Sequence, residues 1–282
     1  ASAGVLAAVI WWVEPAALAA RLGDARPGWM GLAVAALAAQ VVLSALRWQL
    51  TARALGQHLP TLWAVSEYHL AVLGNTLLPG GVLGDLGRAA RAAGPSGGWR
   101  NAARSVVIER AAGQLALAVV TAVGLGWWVG SRGDTAVAVA APALVMPAGL
   151  VAWRLVPGGM RAVLARAWLA ARVWPGQLSL SAVIVACNIA GVWAAARAVG
   201  VDLGLGPALF AIPLTLLAML VPVSVAGWGL REGAAAAVWP LVGVPPPDAV
   251  AASVTFGLAA LGAALMAGLP WALRAAARPR GG

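Results

Sequence analysis

Pro79-Gly80-Gly81-Val82-Leu83-Gly84-Asp85-Leu86-Gly87-Arg88 interrupts a long apolar segment, and a stretch with the same layout follows in the other half of the chain. That second stretch is Pro222-Val223-Ser224-Val225-Ala226-Gly227-Trp228-Gly229-Leu230-Arg231-Glu232. In both, a glycine follows the proline by five residues and an arginine follows it by nine. A helix that is broken beside a charge, once in each half of a chain, is typical of the substrate site of a transporter-like fold.

The composition places this chain in a membrane. Hydrophobic residues make up 62% of its 282 residues and charged residues only 10%, which is more apolar surface than a soluble domain of this length can bury. All 19 basic residues are arginines. Most of them lie between apolar segments, where they would determine topology or contact anionic lipid, so the net charge of +10 does not indicate nucleic acid.

The sequence does not indicate a metal site or a site for nucleophilic catalysis. Cys187 is a lone cysteine and His58 and His69 are the two histidines, which excludes a disulfide framework and argues against a zinc site. No catalytic triad, nucleotide-binding loop or paired-carboxylate hydrolase pattern occurs. We therefore expect no catalytic residue, no metal and no cofactor.

The apolar segments predict an all-α, polytopic integral membrane bundle that forms one transmembrane domain over residues 1–282. About eight membrane segments are expected, at roughly 1–13, 28–52, 61–78, 101–130, 135–156, 179–199, 207–221 with 229–240, and 248–273. Two amphipathic stretches, 14–26 and 157–173, are expected to lie along the headgroups.

The distribution of arginines favours two re-entrant hairpins, near 61–98 and near 207–240, over two complete crossings. If each Pro-Gly break returns the chain to the side it came from, residues 47–60, 88–104 and 154–172 share one arginine-rich face, which would be cytoplasmic together with both termini. Complete crossings would remove that bias. Three full spans separate the hairpins, so the two would enter from opposite faces as an inverted repeat and meet near the midplane.

The breaks also predict a binding site. Backbone that leaves a helix inside a membrane must be buried in protein or line a wet cavity. The helix that restarts there presents free N–H groups, and a guanidinium about one turn later suits a phosphate. The residues expected to bind a phosphate-bearing headgroup are Arg88, Arg110, Arg231, Asn75, Gly80, Gly81, Gly84, Ser224, Gly227 and Gly229.

Four acids, Asp85, Glu109, Glu232 and Glu67, are expected to balance the charge of these arginines or to couple transport. A charge at the bilayer centre is costly, so Glu109 and Arg110 must be paired or wet. The alternative is that Asp85–Arg88 and Arg231–Glu232 only neutralise charge beside the hairpins. Asn188 is interpreted as a helix-contact residue.

The joint order of these motifs resembles a known family. Asn75-Thr76-Leu77-Leu78-Pro79-Gly80-Gly81, Gly84-Asp85, Arg88, Glu109-Arg110 and Gly113, followed by the Pro222–Glu232 stretch, resemble the transmembrane region of the bacterial lysylphosphatidylglycerol synthases. The resemblance covers most of the chain and includes Arg47-Trp48. It implies a multi-pass domain of the bacterial cytoplasmic membrane linked to lipid translocation. Lysyl transfer resides in a separate soluble domain of those synthases and is not expected here.

The leading hypothesis is a lipid translocase rather than an enzyme. It would move an anionic, phosphate-bearing lipid (a phospholipid, aminoacyl-phosphatidylglycerol or a polyprenyl-phosphate-linked lipid) across the membrane. One alternative is a membrane enzyme or scaffold that acts on polyprenyl-phosphate sugars. Another is a non-transporting partner domain of a lipid-modifying synthase or glycosyltransferase. The expected partners are anionic lipids, such an enzyme and a second copy in a homodimer.

Overall fold

The computed structural model describes residues 15–78, 81–94, 96–133, 153–220 and 227–276, and every regular element in these ranges is a helix. The α-helices are α1 (Pro15–Gly23), α2 (Pro27–Ala54), α3 (Thr61–Leu77), α4 (Leu83–Ala92), α5 (Trp99–Gly130), α6 (Gly158–Leu164), α7 (Trp174–Ala198), α8 (Leu205–Leu217), α9 (Leu230–Val238) and α10 (Pro246–Ala276). A π-helical turn covers Ala165–Leu169, and short 3₁₀ turns cover Ala218–Leu220 and Trp239–Val242.

Four of the described helices are long and apolar enough to cross a membrane: α2, α5, α7 and α10. The shorter helix α8 is also apolar. Large apolar side chains such as Leu115, Val119 and Val123 are exposed along α5, as expected where lipid replaces water as the solvent. The all-helical membrane fold is thus confirmed. The predicted segment 1–13 and most of 135–156 lie outside the described residues, so the count of eight stays a prediction.

Helices α2 and α7 pack along each other in antiparallel directions. Gln177, near the start of α7, donates to Thr51 near the end of α2 (2.8 Å), and Gly191 lies against Leu37 further along both helices. At the far end the Arg26 N–H donates to the Ala198 carbonyl (2.8 Å). The contact is rich in alanine and glycine, which lets helices in lipid approach closely.

The first hairpin, α3 with α4, begins and ends at the same end of the bundle. Gln49 donates to the Leu59 carbonyl (2.6 Å) just before α3, and Ser96 donates to Gln57 (3.1 Å) just after α4. Gln57 in turn donates to the Asn101 carbonyl at the start of α5 (2.9 Å). We call this the Gln57 end. The chain therefore enters the bundle along α3, turns back, and returns along α4 to the end from which it came.

The second hairpin, α8 with α9, begins and ends at the opposite end. Trp193 donates to the Leu203 carbonyl (2.9 Å) just before α8, and Arg132, which follows α5, donates to the Leu241 carbonyl (3.2 Å) just after α9. We call this the Leu203 end. Because α5 starts at the Gln57 end and finishes here, the two hairpins enter the bundle from opposite ends.

The two halves of the chain, α2–α5 and α7–α10, make matching contacts. The long helix α5 packs against α8 of the second hairpin, and its counterpart α10 packs against α3 of the first. Each hairpin also packs against the long helix that follows it. The first helices of the two halves, α2 and α7, are antiparallel, so the repeat is inverted. This is the arrangement that the two Pro-Gly breaks and the distribution of arginines together predicted.

Candidate functional site

Asp85, in the first turn of α4, lies between two arginines beside the first break. Arg88 Nη2 donates to Asp85 Oδ1 at 2.8 Å, and Arg110 of α5 forms an ion pair with Asp85 Oδ2. Asn75 of α3 positions this carboxylate, because its Nδ2 donates to Asp85 Oδ2 (2.8 Å) while its Oδ1 accepts the Gly84 N–H (2.8 Å). The end of α3 and the start of α4 are joined in this way.

Gly84 allows α4 to approach α3 closely. A Cβ atom at this position would lie 2.7 Å from the carbonyl carbon of Ala71 and 2.9 Å from the main-chain nitrogen of Asn75. Because these neighbours are backbone atoms, no side-chain rotation could make room, and glycine is required. The close approach carries Asp85 and Arg88 of α4 into the interior of the bundle.

Arg88 is completely buried (0% exposed) between two aromatic rings. Its guanidinium carbon lies 4.5 Å from the centroid of the Trp48 ring and 4.2 Å from that of the Tyr68 ring, and a cation is attracted to such faces. Arg88 Nη2 also lies 3.4 Å from Glu109 Oε2. Arg88 thus links the carboxylates of Asp85 and Glu109.

Glu109 of α5 is completely buried as well and is bound from three other helices. Arg47 Nη2 of α2 donates to Glu109 Oε1 at 2.8 Å, and Arg47 Nη1 donates to Ser181 Oγ of α7 at 3.1 Å. The Tyr68 hydroxyl of α3 donates to Glu109 at 3.3 Å. A buried charge is tolerated when it is paired and hydrogen-bonded, and the Glu109 carboxylate meets both conditions.

Arg110 is the accessible cation of this network. Its side chain is 40% exposed, whereas those of Arg47 and Arg88 are 3% and 0% exposed. Among the residues that the structure describes, the network has three arginines (Arg47, Arg88 and Arg110) and two acids (Asp85 and Glu109), so it carries one net positive charge. A net cation in surroundings of low dielectric constant attracts an anion more strongly than it would in water.

Three adjoining cavities meet at Arg110, and Gln114 also lines all three. The first, of about 330 Å³, lies between α2, α3, α5 and α7. The second, of about 400 Å³, extends to the second break and to α10. The third, of about 290 Å³, is a groove between α4 and α5. These volumes are in the range of binding sites for small molecules.

The second hairpin carries a smaller and neutral cluster. Arg231 and Glu232 form an ion pair (Nη2 to Oε1, 2.6 Å), and Ser253 of α10 donates to Glu232 while accepting from Arg231, both at 3.0 Å. Glu232 Oε2 also accepts the Gly229 N–H at 2.7 Å, which caps α9. Arg231 and Glu232 are 2% and 0% exposed.

The structure brings most of the predicted site residues to these two clusters and their cavities. Gly81, Gly227 and Arg231 line the second cavity, and Asn75 lines the first and second. Glu67 lies apart from the cavities and forms an ion pair with Arg91 of α4. Gly80 and Ser224 lie outside the described residues.

Several site residues were not among the predicted ones. Arg47 was counted with an arginine-rich face, yet it is buried and binds Glu109. A charge inside the apolar run of α2 was the signal that could have identified it. Trp48, Tyr68 and Ser253 complete the two clusters. Asn188 is not confined to a helix contact, because it lines the first and second cavities.

The fold and the site define a polytopic helical membrane protein with two inverted re-entrant hairpins and, beside three adjoining cavities, an ion-pair network with one net positive charge. Residues 1–268 match the family model of the lysylphosphatidylglycerol synthase TM region, so the chain belongs to this family. The family confirms the resemblance carried by the motifs and identifies a multi-pass, lipid-related membrane domain. No curated protein and no solved structure matches the chain.

Proposed function

We propose that this protein is a lipid translocase of the bacterial cytoplasmic membrane and that its substrate is an anionic lipid with a phosphate in its headgroup. The observation that carries the proposal is Arg110, a half-exposed cation of a net positive buried network, at the point where three cavities meet. The planar guanidinium donates in the fork geometry that phosphate oxygens accept. Arg110 would hold the phosphate while the headgroup occupies the first and second cavities.

The third cavity supports a lipid rather than a soluble anion. Its wall is formed by apolar side chains of α4 and α5, among them Leu86, Trp99 and Val107, which are 51%, 48% and 65% exposed. Its inner end reaches Asp85, Arg110 and Gln114. A hydrocarbon chain could stay in this apolar groove while the phosphate reaches Arg110.

The placement of the hairpins supports passage of the headgroup between the two sides. The second cavity is lined by Gly81 and Val82 beside the first break and by Gly227 and Trp228 beside the second. The hairpins enter from opposite ends of the bundle. A headgroup that approaches from either side of the membrane would therefore encounter one of the two hairpins. In transporters with inverted repeats, alternating access arises from movement of one repeat against the other around such a central site.

The test is a translocation assay with the purified protein in liposomes that contain a fluorescent phosphatidylglycerol, whose outer-leaflet label is destroyed by dithionite. The wild type should expose the inner-leaflet label to the reagent. Arg110→Ala should slow this by about tenfold or more, because a charge-assisted hydrogen bond to the phosphate is lost. Arg110→Lys should retain part of the rate, since the charge remains without the forked geometry.

Arg104→Ala is the matched control, because Arg104 is an exposed arginine of the same helix that lines none of the three cavities. It should keep the wild-type rate. If wild-type liposomes lost label no faster than protein-free ones, translocation would be ruled out. Retention of the lipid by the wild type but not by Arg110→Ala would then favour a lipid-binding partner domain of a lipid-modifying enzyme.

A further inference from the structure

Four side-chain amides converge where the first and second cavities join. They come from four different helices and each lines both cavities: Gln40 of α2, Asn75 of α3, Gln114 of α5 and Asn188 of α7. Arg110 also lines both cavities. The space beside the proposed phosphate contact is therefore bordered by neutral groups that both donate and accept hydrogen bonds.

Three of these amides retain hydrogen-bonding capacity toward the cavities. Gln40 Nε2 donates to Ser44 Oγ (2.9 Å) and Asn188 Nδ2 donates to the Ile184 carbonyl (3.0 Å), which uses one N–H of each amide. An amide has two N–H groups and an oxygen that accepts. The Gln114 side chain is exposed. Asn75 differs, because its nitrogen and its oxygen are both engaged beside the break, by Asp85 and Gly84.

The acids that line these cavities are already neutralised. Asp85 is bound by Arg88 and Arg110, and Glu109 is bound by Arg47 and Arg88. The phosphate would offset the one net positive charge of the network, and the two acids that line the first cavity are committed to arginines. The ammonium group of a cationic headgroup would therefore find neither of these carboxylates free to pair with it, and placing a charge in such a site without a partner is unfavourable.

We infer that the headgroup taken by this site is a phosphodiester joined to a neutral, hydroxyl-rich group such as glycerol or a sugar, and that a cationic aminoacyl group is disfavoured. Hydroxyl groups donate and accept like the amides that would contact them. A site built to hydrogen-bond hydroxyls rejects an analogue that lacks them, because its polar groups are then left unpaired. The inference rests on the proposed function for the phosphate contact and specifies what is attached to that phosphate.

The experiment is a lipid competition in nanodiscs, in which native mass spectrometry measures which lipid the full chain retains. Phosphatidylglycerol and phosphatidylethanol share an anionic phosphodiester and differ in the hydroxyl groups, and lysyl-phosphatidylglycerol adds a cationic group. The wild type should retain phosphatidylglycerol over each of the other two by about tenfold. In the double variant Gln114→Met/Asn188→Leu, the preference for phosphatidylglycerol over phosphatidylethanol should disappear, so that the two lipids are retained about equally.

Asn101→Leu is the matched control, because Asn101 is an exposed amide of α5 that lines none of the three cavities; it should keep the wild-type preference. Equal retention of phosphatidylglycerol and phosphatidylethanol by the wild type, or a preference for lysyl-phosphatidylglycerol, would overturn the inference.

The variant Arg110→Ala distinguishes a failure of the headgroup inference from a failure of the proposed phosphate contact. If it reduces retention of both anionic lipids while they compete equally in the wild type, the phosphate contact stands and the headgroup inference is wrong. If it retains both lipids like the wild type, the phosphate contact itself fails.

Discussion

Arg88 and Arg231 occupy matching places in the two hairpins but belong to different electrostatic environments. Both follow a break, both are buried and both lie between two aromatic rings, Trp48 and Tyr68 for Arg88, and Trp228 and Phe256 for Arg231. Arg231 has its acid next to it in sequence and forms a local pair. Arg88 instead shares two acids with two further arginines.

The comparison shows that an inverted backbone repeat need not carry the same charge in both halves. The Arg231–Glu232 pair is neutral, although Arg231 lines the second cavity, so we expect it to attract an anion less strongly than the first cluster does. The first cluster has one cation in excess, and that cation is accessible. The second hairpin contributes a wall of the second cavity, through Gly227 and Trp228, while the cation that we propose to bind the phosphate comes from the first half.

The largest difference in stability between variants of the two halves is expected at Glu109 and Ser253. Glu109 of α5 binds Arg88, and Ser253 of α10 binds Arg231. Glu109→Gln would leave one acid among three buried or half-buried arginines and should lower the free energy of unfolding by about 3–5 kcal/mol. Ser253→Ala should lower it by about 1 kcal/mol, because Arg231 keeps Glu232. Denaturant unfolding in detergent micelles, followed by tryptophan fluorescence, measures both, and equal losses would contradict the asymmetry.

Gly84 is expected to give the next largest effect, because α3 and α4 can meet only where no Cβ intervenes. Gly84→Ala would press a methyl group against the backbone of Ala71 and should cost about 1–3 kcal/mol. Gly87→Ala on the same helix is the control. Its nearest neighbour is the mobile end of the Arg91 side chain at 3.0 Å, so it should be nearly neutral. If the two alanine variants unfolded at the same denaturant concentration, close packing at Gly84 would not be what holds the hairpin.

A feature of the fold or of the site could be predicted from the sequence when the residues that form it lie close together along the chain. The hairpins were predictable because proline, glycine and a charge interrupt an apolar run within ten residues. Arg88, Arg231 and the acids beside them in sequence, Asp85 and Glu232, followed for the same reason.

Arg47 and Tyr68, which bind Glu109, and Ser181, which binds Arg47, were not predictable, because three different helices bring them to this network and no spacing along the chain records this. The convergence of Gln40, Gln114 and Asn188 has the same origin: each is an isolated amide on its own helix, and it becomes part of a site only when the helices pack.

Replacing the second charge pair as a whole should have a small effect. Arg231→Met/Glu232→Gln removes both charges together, and a buried ion pair exchanged for neutral residues of similar volume is often neutral for stability. We expect a loss of about 1 kcal/mol, mainly from the weaker cap on the Gly229 N–H. Arg231→Met alone leaves Glu232 buried without its partner and should cost about 3–5 kcal/mol. A double variant as unstable as the single one, in the same unfolding experiment, would show that the pair does more than balance charge.

The smallest effect is expected outside the buried clusters, where solvent reaches both partners of an ion pair. Arg21 pairs with Asp248 at the start of α10, and their side chains are 49% and 19% exposed. Exposed ion pairs contribute about 0.2–1 kcal/mol because solvent and salt screen them, so Arg21→Ala should lower stability by a small amount that shrinks further in high salt. Arg91 pairs with Glu67 within the first hairpin, where the arginine side chain is 45% exposed but that of Glu67 only 9%. Arg91→Ala should therefore cost more than Arg21→Ala and depend less on salt, because it leaves a buried carboxylate without its partner. Equal losses in the same unfolding experiment would show that Glu67 does not need its arginine.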